Sequence, residues 1–170
     1  VARFSALFGD CAEALDYEPK SALKRLTTNG TNDGRRAMDA GIYREQIIDL
    51  YEHPLNYGTL ERPDFSYEED NPLCGDVIRI DVRLDEAQRV AEIVWSGDGC
   101  AISQASASLL TEEIKGKTLA ELKAFPAEQL LELVGVPLSM ARVKCALLSL
   151  KVLKAGAYGI PDPDTMRGHE

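Results

Sequence analysis

The 170-residue sequence predicts an α+β fold: a small antiparallel sheet of about three strands packed against helices, with an N-terminal helical extension. Three observations carry this. Ile78, Ile80, Val82 and Leu84 alternate strictly with Arg79, Asp81, Arg83 and Asp85, the period of a strand with one dry and one wet face. The three-residue connection Glu86-Ala87-Gln88 returns the chain to a second β-like run, and so short a link implies antiparallel pairing. After Gly97-Asp98-Gly99-Cys100 the period lengthens, with Ile102, Ala105 and Leu109 at helical spacing.

Element by element, Phe4, Leu7, Phe8, Cys11 and Leu15 form an apolar helical stripe that Pro19 interrupts, and a second short helix fits around Leu23 and Leu26. Thr27 to Gly34 is small, polar and aperiodic, a linker composition. It separates an extension, residues 1–34, from a main domain over residues 41–158, with a loose tail at 159–170. The domain opens on a helix from about Gly41 to His53, with Tyr43, Ile47 and Leu50 on one face and Pro54 as its stop. A loop with Asn56, Gly58 and Pro63 leads to a short edge strand at Phe65–Tyr67. Strands follow at Asp76–Asp85 and Arg89–Ser96, the latter with Ala91, Ile93 and Trp95 on one side. A helix then runs to about Ile114 before Gly116, short helices lie near Leu119–Lys123 and Glu128–Val134, and the last spans about Ser139 to Ala155. Its stripe is Met140, Val143, Leu147, Leu150 and Lys154, and Gly156, Gly159 and Pro161 end it.

Composition narrows the function. The hydrophobic fraction of 45% supplies a core and excludes global disorder. A net charge of −9 argues against nucleic acid, whose phosphates need a basic face, and suits a basic protein partner or cations. No apolar run approaches the length of a membrane span, and the first residues lack the charged-then-apolar layout of a secretion signal, so a cytoplasmic location is expected. The four cysteines, Cys11, Cys74, Cys100 and Cys145, are then expected as reduced thiols serving as core residues, nucleophiles or metal ligands.

Three of them lie at junctions. Cys74 sits in the loop before the main strand, two residues ahead of Asp76; Cys100 enters a helix from a glycine-flanked turn; Cys145 lies early in the last helix. Such a set could converge at one end of the sheet and give three thiolates and a carboxylate, the ligand count of a tetrahedral site. A thiolate at a helix start is favoured by the N–H groups there. Gly75, Gly97 and Gly99 would let the backbone approach a bulky ligand. No CxxC occurs, so an ordinary zinc ribbon is not indicated. Cys11 reads as a packing residue, His53 as a helix-end residue and Trp95 as core.

The segments Asn71-Pro72-Leu73-Cys74-Gly75-Asp76, Gly97-Asp98-Gly99-Cys100-Ala101-Ile102-Ser103-Gln104-Ala105-Ser106-Ala107-Ser108 and Arg142-Val143-Lys144-Cys145 resemble the U-type iron–sulfur cluster scaffold family, which includes IscU and SufU proteins and the N-terminal domain of NifU. Residues 43–58 resemble its first helix and loop. The resemblance implies a SufE/IscU-like fold and four ligands, Cys74, Asp76, Cys100 and Cys145, holding a [2Fe–2S] cluster or Zn2+. Cys100 and Cys145 would be candidate persulfide acceptors. It implies a PLP-dependent cysteine desulfurase as sulfur donor and apo iron–sulfur proteins as recipients. The chain itself would be a scaffold rather than an enzyme, with sulfurtransferase activity as the alternative. Asp76, a harder ligand than a thiolate, would keep the site labile.

Two features set the chain between branches of that family. Lys144 stands where IscU-type members carry His, and the text around Cys100 and Cys145 is SufU-like, yet those two cysteines are 45 positions apart, close to the IscU spacing. Residues 138–144 also lack both prolines of the Leu-Pro-Pro-Val-Lys chaperone segment. Lys144, which has no lone pair as an ammonium, is expected to offset ligand charge rather than ligate. The extension's stripe is expected to pack within the chain or on a second copy, making a homo-oligomer one outcome, and to leave the ligand set alone.

Overall fold

A computed structural model of the chain describes residues 33–72 and 74–159. The stripe from Phe4 to Leu15, including Cys11, and the tail beyond Gly159 lie outside the described residues. The chain divides into two units, Val1–Arg36 and Ala37–Glu170, and the second carries the sheet.

Helix α1 spans Asp33–Glu52, so it begins inside the segment expected as linker, while its end before His53 and Pro54 is as expected. The strands are β1 (Phe65–Asn71), β2 (Asp76–Leu84) and β3 (Val90–Asp98), paired antiparallel in the order β1-β2-β3. The edge strand is longer than Phe65–Tyr67 because its polar second half, Glu68 to Asn71, pairs with Arg79 back to Asp76. Helices α2 (Ala101–Glu113), α3 (Leu119–Ala124), α4 (Ala127–Val134) and α5 (Met140–Tyr158) follow.

The dry face of β2 holds Ile78, Ile80 and Val82, which with Ile93 and Trp95 of β3 meet Leu110, Val152 and Leu153 of the helices in one core. A second cluster joins Ile47 and Leu50 of α1 to Ile102, Ala105, Val134 and Ala146. Helix α5 contributes to both, so its burial extends well beyond one stripe: Val143, Leu147 and Leu150 are buried as expected, but Met140 is 61% exposed. Gly156 lies inside α5 rather than ending it, because the Phe65 ring occupies the place its side chain would take.

The expected wet face of β2 is wet only in part. Asp81 is 1% exposed. Its carboxylate accepts from Ser66 Oγ (2.5 Å), from the Leu60 N–H (3.1 Å) and from Arg79 Nε (2.9 Å). The loop between α1 and β1 crosses this face, so a charge that alternation assigns to solvent becomes its anchor. The same loop lies along β3: Trp95 donates its backbone N–H to Asn56 O (2.9 Å) and its Nε1–H to Leu55 O (2.8 Å), and Gly58 N–H donates to Trp95 O (2.8 Å). At the start of β3, Val90 N–H donates to Lys117 O and Gly116 N–H to Val90 O, both at 2.9 Å. Loops thus satisfy backbone groups that an edge strand would leave open. Among the described residues no helix is long and apolar enough to cross a membrane.

Candidate metal centre

The site forms where three element ends meet. The first is the β1–β2 hairpin tip. Asn71 and Asp76 are its last register pair, and the Asn71 carbonyl accepts from both Cys74 N–H (3.1 Å) and Gly75 N–H (2.8 Å). Gly75 has φ +72°, a left-handed turn conformation that glycine adopts without Cβ strain. This closure leaves Cys74 exposed at the tip and places Asp76, 2% exposed, at the base.

The second end is the start of α2. Cys100 is its N-cap residue, and its side chain makes no capping bond. The Asp76 carboxylate caps instead: Oδ1 accepts from Cys100 N–H at 2.9 Å, and Oδ2 lies 3.6 Å from Cys100 Sγ. A carboxylate is well suited to the positive end of a helix. Gln104 Nε2 clasps the entry turn through Gly99 O (2.9 Å). The third end is the beginning of α5, where Cys145 is 2% exposed and its Sγ faces Ala141 O one turn back (3.6 Å).

Cys74 Sγ and Cys145 Sγ are 2.9 Å apart, and Asn71 Nδ2 approaches Cys145 Sγ at 3.9 Å. Ligand atoms of Cys74, Asp76 and Cys145 all lie within 4.8 Å of one another. A tetrahedral ion with bonds of ~2.0–2.3 Å separates its ligand atoms by roughly 3.3–3.8 Å, so the cluster is of the size one ion needs. Cys100 stands beside this trio, joined to it through Asp76. Three sulfurs and one oxygen suit zinc or iron, and sulfur excludes magnesium and calcium as natural occupants.

The charge state of the metal-free site follows. Burial pushes the Cys145 thiol well above the usual cysteine range; contacts with Cys74 and Asp76 and the negative charges of Cys100 and Asp76 push the same way. Two thiolates in contact would repel strongly, so the pair accommodates either a proton or a cation, and cation binding releases the proton. Lys144 is exposed on α5, about 100° around the helix from Cys145.

Two glycines have roles other than those the sequence suggests. A Cβ on Gly99 would stand 2.9 Å from Cγ and Oδ1 of Asp76, so the space serves the protein's own carboxylate rather than a bulky ligand. Gly97, with φ +140°, lets β3 close against the Val77 backbone. Asn71 is the participant the sequence reading passes over. Its position as the last residue of β1, five before Asp76, is the signal that could have marked it.

Residues 42–162 match the NifU-like N terminal domain. The chain is 37% identical over 132 residues to the zinc-dependent sulfurtransferase SufU of Bacillus subtilis, a match covering 68% of this chain and 88% of that protein. It is 34% identical over 116 residues to the iron–sulfur cluster assembly scaffold protein IscU of Haemophilus influenzae, covering 66% and 90%. Among solved structures, a protein of Fervidobacterium islandicum described as an iron–sulfur cluster assembly scaffold for the SUF system superposes with a TM-score of 0.57 at 26% identity, covering 66% of this chain and 94% of that one.

Proposed function

The chain belongs to the NifU-like N-terminal domain family, and from that premise we propose that it is a scaffold on which iron–sulfur clusters are assembled and from which they are passed to apo-proteins. The observation that carries this is the gathering of Cys74, Asp76 and Cys145 within 4.8 Å, with Cys100 against Asp76. Cys74, Asp76, Cys100 and Cys145 hold the cargo, a [2Fe–2S] cluster. Sulfur comes from a PLP-dependent cysteine desulfurase as a persulfide. A scaffold thiolate attacks the terminal sulfur, the desulfurase thiolate leaves, and the scaffold keeps a Cys–S–S group. Cys100 and Cys145 are the acceptors expected from the sequence, but they are half-buried and buried, so the exposed Cys74 is the thiol such a donor reaches first. The pyridoxal chemistry remains with the donor, so the chain acts as acceptor and scaffold rather than enzyme. The cytoplasm, which keeps thiols reduced, suits this work.

A second reading, a zinc-bound sulfurtransferase, is favoured by the 37% identity to Bacillus subtilis SufU. The chain's residues then hold one Zn2+ through the same four side chains, and the ion keeps the thiols as thiolates. Analysis of protein purified without oxygen separates the two. Iron with acid-labile sulfide supports the scaffold. One zinc per chain without sulfide, together with a faster desulfurase, overturns it in favour of the sulfurtransferase.

A further inference from the structure

We propose that Cys74 and Cys145 are a reversible oxidation site: in the metal-free protein a peroxide or a small disulfide joins them in an intramolecular disulfide that closes the site. The chemistry rests on the geometry alone, while the consequence, a scaffold shut to its cargo, rests on the function proposed above.

Three features single out this pair. The two sulfurs are already in contact at 2.9 Å, so a bond of about 2.05 Å requires an approach of only about 0.9 Å. The pair is asymmetric in the way a disulfide-forming pair needs: Cys74 is exposed at a hairpin tip and meets the oxidant, whereas Cys145 is buried on a helix and waits beneath it. The space beside the hairpin tip is open, since a Cβ built on Gly75 meets no atom within 4 Å. Cys100 is excluded as the partner. Its sulfur is directed at Asp76 Oδ2, 3.6 Å away, and it is not a member of the group whose ligand atoms lie within 4.8 Å of one another.

With hydrogen peroxide the steps balance. The Cys74 thiolate attacks one peroxide oxygen, the O–O bond breaks, and the departing hydroxide takes a proton as water, leaving a sulfenic acid on Cys74. The Cys145 sulfur then attacks the Cys74 sulfur. The S–O bond breaks and a second water leaves with the Cys145 proton. Two thiols are oxidised by two electrons and one peroxide is reduced to two waters. A dithiol reductant reverses the bond by exchange. A metal or cluster on the same sulfurs prevents the first step by occupying the attacking lone pair.

The test uses the full chain, stripped of metal, treated with an equimolar amount of hydrogen peroxide, alkylated, digested and mapped by mass spectrometry without reduction. The Cys74–Cys145 linked peptide should dominate, with Cys100 still open to alkylation. Cobalt(II) uptake, followed by sulfur-to-metal charge-transfer absorption, should be lost and should return after dithiothreitol. Cys74→Ser and Cys145→Ser should abolish the link, and Cys100→Ser should retain it. A dominant link through Cys100 or Cys11, a link between two chains, or sulfinic acid on Cys74 without any link would overturn the proposal. The readout needs neither iron nor sulfide. A chain that forms the link but takes up no iron and sulfide sinks the scaffold reading alone, and one that assembles a cluster without forming the link sinks this inference alone.

Discussion

Asp76 divides its two carboxylate oxygens between structure and chemistry, one capping α2 through Cys100 N–H and the other facing the thiols. Replacing it with Ala removes both. Losing the cap should cost about 1 kcal/mol of stability. Removing the hardest donor from the ligand set should slow release of a reconstituted cluster several-fold, measured as transfer to an apo-ferredoxin; faster transfer than wild type would contradict the labile-carboxylate argument. Gly99→Ala displaces the same carboxylate without removing it. Its Cβ would meet the Asp76 carboxylate at 2.9 Å while the residue's backbone conformation is open to alanine, so the strain falls on the carboxylate. The variant should fold with an unchanged far-ultraviolet spectrum and shift cluster release as Asp76→Ala does. Wild-type release kinetics would show that the carboxylate's placement does not matter.

At the scale of elements, the loop over the sheet and the last helix each depend on a particular contact. Burial alone would raise the Asp81 carboxyl, but hydrogen bonds from Ser66, the Leu60 N–H and Arg79, with the Arg79 charge, outweigh it and hold the group below the usual carboxylate range. A depressed folded-state value stabilises the protein above the unfolded-state value, near about 3.9, and the contribution disappears as pH falls through the folded-state value. Wild-type stability should therefore fall on acidification through that range. Asp81→Asn should show a shallower fall and, at neutral pH, a loss of about 1–3 kcal/mol in urea unfolding. A variant with the wild-type slope would show that other carboxylates govern the acid limb. Within α5, Gly156→Ala places a Cβ 2.6 Å from the Phe65 ring, an overpacking that should cost about 1–3 kcal/mol. A double variant with a smaller residue at Phe65 should cost less than the two single losses combined, and strict additivity would indicate that the ring is not the obstacle.

For the whole molecule, all four proposed ligands fall within the unit Ala37–Glu170, and residues 42–162 match the family. Deleting residues 1–32, which spares α1 from its first turn, should therefore leave metal bound per chain unchanged, while sedimentation and thermal unfolding report on any role in assembly or stability. A truncated chain that keeps its fold but loses metal would bring the extension, and Cys11 with it, into the site.

The sequence by itself determined the fold class and the order of the elements, and it marked the four side chains proposed here as ligands. Periods of two and 3.6 residues, turn residues and local motifs are properties of neighbouring positions. They mark β2 through Ile78, Ile80 and Val82 and place Cys74, Cys100 and Cys145 at element ends. What crosses between elements was decided by tertiary structure alone. Alternation gives Asp81 to solvent, and only the loop laid over that face buries it. A glycine before a cysteine suggests room for a ligand, and only the approach of β2 shows that Asp76 takes the room at Gly99. The spacing of three cysteines allows a common site, but it cannot say that Cys74 and Cys145 touch while Cys100 stands apart behind Asp76. The physical reason is the same each time: local sequence sets which way a side chain leaves its own strand or helix, whereas its partner depends on how distant segments close over it.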